Sequence, residues 1–288
     1  MISTGAIESI TGSTVRQMTP LSGGDVAQSF RVELTDGMSV FAKTHPDPPV
    51  GFFTTEAWGL EWLRSACGLE PAAMLVPRVI GHGDDPPILV LEWIDESPAA
   101  ETDEAAFGAA LAKLHQTSAP CFGRQDRRTT GSRGLPNEPC NTWTEFYASQ
   151  RLLPLSRLAA DGAVLSEQAI RGLARIADSL AEIGGPPEPP ARLHGDLWAG
   201  NRIIDRAGRS WLIDPACHGG HREFDLAMMR LFGGFSENCH ASYQEVSPLA
   251  DGWQERVRLH QLAPLLVHAI KFGGGYVGAA SDAIAAYQ

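Results

Sequence analysis

Lysine is nearly absent: Lys43, Lys113 and Lys271 are three of the 23 basic residues in this 288-residue chain, and the others are arginine. With 30 Gly and 20 Pro, that imbalance reads as codon bias, so a lysine inside a strand-like segment needs its own explanation. Lys43 is that residue. Positive charge is scarce altogether, since 34 acidic residues leave a net charge of −11. Such a balance argues against a nucleic-acid partner or an anionic membrane footprint, while leaving room for a local basic pocket. No apolar run is long enough for a membrane-spanning helix. The opening MISTGAIESITGSTVRQ has neither a basic leader nor an apolar core, and no export signal is expected. The five cysteines, Cys67, Cys121, Cys140, Cys217 and Cys239, form no C-x2-C pair. They are expected as reduced thiols in a cytoplasmic protein. G-x-S-x-G, G-x4-G-K-[ST] and G-x-G-x-x-G are also missing, which removes the serine-hydrolase, P-loop and dinucleotide-binding readings.

What is present is an ordered change of pattern along the chain. Strands are predicted near Thr14–Met18, Gln28–Leu34 and Ser39–Lys43, separated by Ser22-Gly23-Gly24-Asp25 and by Thr35-Asp36-Gly37; Asp-Gly between alternating segments signals a hairpin. Thr54–Ala66 carries Ala57, Leu60, Leu63 and two tryptophans at helical spacing, with Thr54 or Thr55 available as cap. Ile88–Ile94 reads as a buried strand, and the acidic stretch Asp95–Asp103 as a connector. Beyond it Phe107, Leu111 and Leu114, then Ile170, Leu173, Ile176, Leu180 and Ile183, mark amphipathic helices. Pro120–Asn141 reads as a long loop before a helix near Thr142, and Gly273-Gly274-Gly275 as another loop. Short strands at Arg202–Asp205 and Trp211–Asp214 form a small hairpin expected inside the helical part. The prediction is an α+β, bilobal fold: residues 1–94 form an antiparallel sheet plus helix, 95–102 a hinge, and 103–288 a mainly helical lobe.

His194-Gly195-Asp196-Leu197-Trp198-Ala199-Gly200-Asn201 supplies H-x-D-x4-N, and Asp214 follows Asn201 by 13 residues at the end of an apolar strand. Phosphoryl transfer needs a carboxylate beside the attacking hydroxyl, plus an amide oxygen and a second carboxylate to hold Mg²⁺ against the nucleotide phosphates. Asp196, Asn201 and Asp214 fit those roles, in the order and spacing of the protein-kinase catalytic core. Each residue alone has an ordinary structural reading; their joint occurrence carries the assignment. Such a site needs a cation at the α/β-phosphates of ATP and a carboxylate to orient it. Lys43, ending the third strand, and Glu56, in the first turn of the next helix, are the candidates, with Glu61 as rival carboxylate. Gly23 and Gly24 are placed where backbone amides could approach phosphates, and the backbone of Glu92, Trp93 and Ile94 where adenine would bind. Cys217-His218-Gly219-Gly220-His221 lacks the paired frame of a structural zinc site. Asp225, at the start of a helix, could brace the catalytic loop from the core.

With G-D-L-W-A-G-N at 195–201, Asp214-Pro215-Ala216, Gly220-His221-Arg222-Glu223-Phe224-Asp225-Leu226-Ala227 and Leu231-Phe232-Gly233-Gly234-Phe235, the chain resembles the fructosamine kinase (ketosamine-3-kinase) family nearly end to end. Trp143-Thr144-Glu145-Phe146-Tyr147 and Gln150-Arg151-Leu152 resemble a further element of that family. The Trp198 pattern separates it from aminoglycoside phosphotransferases and choline kinases, which share H-x-D-x4-N. The resemblance implies a protein-kinase-like fold that uses ATP and Mg²⁺ to phosphorylate the 3-hydroxyl of small-molecule or protein-bound ketoamine sugars. Trp198, His218 and His221 are the implied acceptor-side residues, and the arginine-rich loop Arg124–Asn137 is expected to border the acceptor. The competing readings are a kinase of another small alcohol, aminoglycoside- or choline-like, and a catalytically silent nucleotide-binding protein.

Overall fold

A computed structural model describes residues 3–22, 27–67, 74–97, 100–131 and 133–288, and divides the chain into two compact units. The first comprises Met1–Asp103 with Gly200–Pro215, the second Glu104–Ala199 with Ala216–Gln288.

In the first unit, helix α1 (Thr4–Thr11), capped by the Ser3 hydroxyl, precedes strands β1 (Val15–Leu21), β2 (Gln28–Leu34) and β3 (Ser39–Thr44). With β5 (Val79–Asp84) and β6 (Pro87–Glu92) these form a five-stranded antiparallel sheet in the order β1-β2-β3-β6-β5. Alternation along β2 and β3 turns Val32, Leu34, Val40 and Ala42 toward Ile7, Ile88 and Val90, so one sheet face becomes the core under α1. Sequence patterning assigns no element to α1 or β5: the helix is two turns long, and β5 holds two glycines and two charged or polar residues among its six positions. Helix α2 (Phe52–Arg64) buries Phe53, Glu56, Ala57, Leu60 and Leu63. Its cap is Gly51 at φ 73° rather than the expected Thr54 or Thr55. Thr54 instead offers its hydroxyl to Asp84 at 3.2 Å.

The small hairpin of β8 (Arg202–Ile204) and β9 (Ser210–Leu212) belongs to this unit, not to the helical part where the sequence reading put it. The reason is pairing. Strand β9 runs parallel to β4 (Met74–Leu75), and Ser97 donates its amide to Ile204 O at 2.8 Å. The connector is thereby pinned to the hairpin, and a Cβ on Gly208 would lie 2.3 Å from Glu101 O.

The second unit is helical: α3 (Glu104–Gln116), α4 (Trp143–Tyr147), α5 (Leu153–Asp161), α6 (Glu167–Ile183), α7 (Glu223–Phe232), α8 (Glu237–Val246), α9 (Trp253–Phe272) and α10 (Gly275–Ala285). Thr142 caps α4 and Ser166 caps α6, each through its hydroxyl. A π-helical turn at Ala148–Leu152 joins α4 to α5. Phe146, Tyr147, Leu173, Ile176, Leu180, Leu259, Leu262 and Leu266 fill the core. Within this unit β7 (Ala191–Leu193) pairs with β10 (His218–Gly220), and the loop of interest leaves the end of β7.

Candidate active site

The first unit gathers three charged side chains. Lys43 Nζ donates to both Glu56 oxygens at 3.1 and 3.2 Å and to Asp214 Oδ1 at 2.9 Å. The contacts are local consequences of the fold: Lys43, the last residue but one of β3, points to the α2 side, and Glu56 lies on the buried face of α2. Glu56 sits in the second turn of that helix rather than the first, and the rival Glu61 is exposed. Burial alone would lower the Lys43 pKa, but the Glu56 and Asp214 carboxylates overcome it and raise it, fixing the ammonium. Glu56 is pushed up, by burial first and then by the Asp214 charge, with Lys43 opposing.

Asp214 follows β9 at φ 51°, a left-handed conformation that Asp tolerates better than most residues. Its side chain is 46% exposed. Asn201, in a short 3₁₀ turn, accepts from the Ile213 amide at 3.0 Å through its carbonyl, so the hairpin ladder carries Asn201 and Asp214 to one end. An amide oxygen and a carboxylate there suit a hard cation that retains waters, as Mg²⁺ does. At the end of β6, Glu92 Oε1 accepts from the Arg78 amide at 2.6 Å. Trp93 and Ile94 follow outside any strand, with Trp93 Nε1 on Asp95 at 2.8 Å and Arg31 over the Trp93 ring. Gly23 and Gly24 lie outside the described residues.

In the second unit, Asp196 is half-buried in the loop after β7. That loop is held from below by Asp225, which is fully buried at the start of α7. Asp225 Oδ2 accepts from the His194 amide at 2.7 Å and Oδ1 from the Gly195 amide at 2.9 Å. Burial would raise the Asp225 pKa, but the hydrogen bond and charge of His115 outweigh it and lower it. His115, which the sequence reading left without a role, sits 3.3 Å from Asp225 through Nε2 and 2.9 Å from the Tyr243 hydroxyl through Nδ1. Its only sequence signal is a position next to Leu114 on an apolar helix face. Gly195 is required at φ 80°, where a Cβ would stand 2.2 Å from Ala216 O.

Trp198 is exposed, two residues beyond Asp196. His218 and His221, assigned to the acceptor side from sequence, are instead buried in the core of the unit. His218 stacks on Phe146 and His221 packs beside Trp143. Burial drives the His218 pKa down to about 3 and the His221 pKa down to about 4. His221, Glu223 and His260 come together, yet both Glu223 oxygens accept from Arg256 at 2.9 and 2.6 Å. A guanidinium already balances that carboxylate. The arginine-rich loop is anchored at two points: Arg124 pairs with Asp126 and donates to Cys217 O, and Arg151 reaches Pro136 O and Asn137 Oδ1, while Arg127, Arg128 and Arg133 are exposed.

Comparison with known proteins identifies the family. The sequence model of the fructosamine kinase family matches residues 2–288. A Lactiplantibacillus plantarum protein named "Probable ketoamine kinase" is 36% identical over 273 residues, covering 94% of this chain and 93% of its own. A crystal structure of a candidate fructosamine-3-kinase from Thermobifida fusca superposes with TM-score 0.88 at 40% identity, covering 99% and 97% of the two chains. The aminoglycoside phosphotransferase APH(4)-Ia matches at TM-score 0.60 with 14% identity over 99% of this chain and 98% of its own, a likeness of fold. The α+β fold is thus protein-kinase-like. Among the described residues no helix is long and apolar enough to cross a membrane.

Proposed function

Because the chain belongs to the fructosamine kinase family and is an ATP-dependent phosphotransferase with an alcohol acceptor, we propose that it phosphorylates the 3-hydroxyl of sugar-derived ketoamines, free or protein-bound. The observation that carries the reading is Lys43 held jointly by Glu56 and Asp214, an arrangement suited to polyphosphate. In a chain at −11, that single fixed ammonium counters the dense negative charge of ATP at the α/β-phosphates. Glu56 orients it. The Glu92–Ile94 backbone meets adenine.

Asn201 and Asp214 would hold Mg²⁺, which supplies charge neutralisation at the phosphate oxygens. Asp196 orients the acceptor hydroxyl and takes its proton late in the transfer, so a carboxylate of ordinary acidity suffices. Asp225 keeps the loop amides around Asp196 in register. The exposed face of Trp198 receives the apolar face of the sugar. Phosphate at C3, next to the C2 carbonyl, makes the product prone to eliminate phosphate and then release its amine by hydrolysis, which reverses glycation.

Incubation with ATP, Mg²⁺ and a panel of ketoamines, aminoglycosides and choline tests the reading, with ³¹P and ¹³C NMR locating the ester. The expected product is a ketoamine 3-phosphate. Phosphorylation of another alcohol while ketoamines of several sugar lengths stay untouched would overturn the substrate assignment. Asp196→Asn is expected to lose on the order of 10²-fold or more in turnover while still binding ATP.

A further inference from the structure

A continuous run of aromatic rings leads away from Trp198 within the second unit. Trp198 meets Phe232 edge-on with centroids 5.8 Å apart, Phe232 meets His268 at 5.0 Å, and His268 meets Phe272 at 5.6 Å and Tyr276 at 5.0 Å. The run is built onto the catalytic loop. The turn after Phe232 passes so near the residue following Trp198 that a Cβ on Gly234 would lie 2.3 Å from the Ala199 Cβ. His268 is held by its Nδ1, 2.8 Å from Pro264 O one helical turn back. Phe272, at the end of α9, is 51% exposed although Lys271 rests over its ring at 5.0 Å.

The run is exposed at Trp198 and at Phe272. Leu158 is the other exposed large apolar residue described in this unit. We propose that the ring run from Trp198 to Phe272 and Tyr276 is a subsite for the amine-bearing part of the acceptor, selecting ketoamines whose amine carries an apolar or aromatic group. The inference rests on the ketoamine reading above. With the reacting hydroxyl at Asp196 and the sugar on Trp198, the substituent on the amine extends past the sugar, and Phe232, His268 and Phe272 provide its apolar continuation. A ring set two or more bonds beyond the nitrogen enters the run at Phe232, the ring next to Trp198, whereas a methyl group falls short. Edge-to-face and offset packing against these rings adds to simple burial.

The test compares kcat/KM for the fructose adducts of 2-phenylethylamine and of methylamine, which carry the same sugar and the same charge. The wild-type enzyme is expected to prefer the phenylethyl adduct by about fivefold or more, the scale of one good aromatic contact. Phe232→Ala brings that ratio toward one, and Phe232→Tyr retains it; the ratio is insensitive to a general loss of folded protein. Equal use of both adducts by the wild type, or a preference that survives in Phe232→Ala, overturns the subsite while leaving the ketoamine reading intact. Phosphorylation of neither adduct overturns that reading and the subsite with it.

Discussion

Lys43 Nζ donates to Asp214 Oδ1 at 2.9 Å across 171 residues of sequence, joining the third sheet strand to the end of the small hairpin within one compact unit. Glu56 completes the group from the buried face of α2. Removal of the ammonium leaves two buried or half-buried carboxylates facing each other. Lys43→Met keeps much of the side-chain volume, so the protein is expected to stay folded while ATP use collapses. The measurement is turnover at limiting ATP alongside circular dichroism; unchanged turnover would remove Lys43 from the nucleotide site.

Asp214 and Asn201 should differ as cation ligands, because only the former brings a full charge to a hard cation. Asp214→Asn is expected to cost more Mg²⁺-dependent activity than Asn201→Ala, and to shift the Mg²⁺ concentration for half-maximal rate further upward. Magnesium titration of both variants checks this. An Asp214 variant with a wild-type titration curve would refute the assignment.

The brace under the catalytic loop gives a separate prediction. Asp225 accepts two loop amides from a fully buried position, so an amide in its place must turn an NH₂ toward one of them. Asp225→Asn is expected to lower kcat by about 10²-fold, the effect of roughly 1 Å of misplacement, with a far smaller change in KM for ATP. Steady-state kinetics separates the two. A fall confined to KM for ATP would argue against the brace.

Acid should weaken the second unit. His218 and His221 are neutral in the fold because burial lowers them from 6.5 to about 3 and about 4. A histidine lowered on folding contributes stability that is present above pH 6.5 and lost as pH falls toward the folded value. Holding His218 neutral at pH 5 costs about 2 kcal/mol from 6.5 as the unfolded reference. Glu223, lowered to about 2 against burial by His260 and Arg256, adds a loss of the same sign between pH 4.5 and 2. Thermal melts from pH 7 to pH 5 are expected to show a falling Tm, with a shallower slope in His218→Gln. Equal slopes would show that His218 does not set the acid sensitivity.

The sequence by itself determined what is local. Alternation and the Asp-Gly turn place β2 and β3, helical spacing places α3 and α6, and the tight H-x-D-x4-N spacing puts Asp196 and Asn201 on one short segment. The need for glycine at 195 came only with the fold, where φ is 80° and a Cβ would stand 2.2 Å from Ala216 O. Tertiary structure decided everything that depends on which distant side chains share a buried volume. Sequence favours Glu56 with Glu61 as its rival; five residues at about 100° each set them about 140° apart around α2, and Glu56 is the one that faces Lys43. The hairpin joined the first unit because β9 found β4, a pairing that neither strand's pattern announces. His218 and His221 read as polar acceptor contacts because a histidine's side chain does not reveal its environment; packing against Phe146 and Trp143 made them core residues. The ring run from Trp198 to Phe272 draws on α7, α9 and the catalytic loop, and only their packing joins it, because side-chain proximity between distant segments is set by the core and not by local backbone preference.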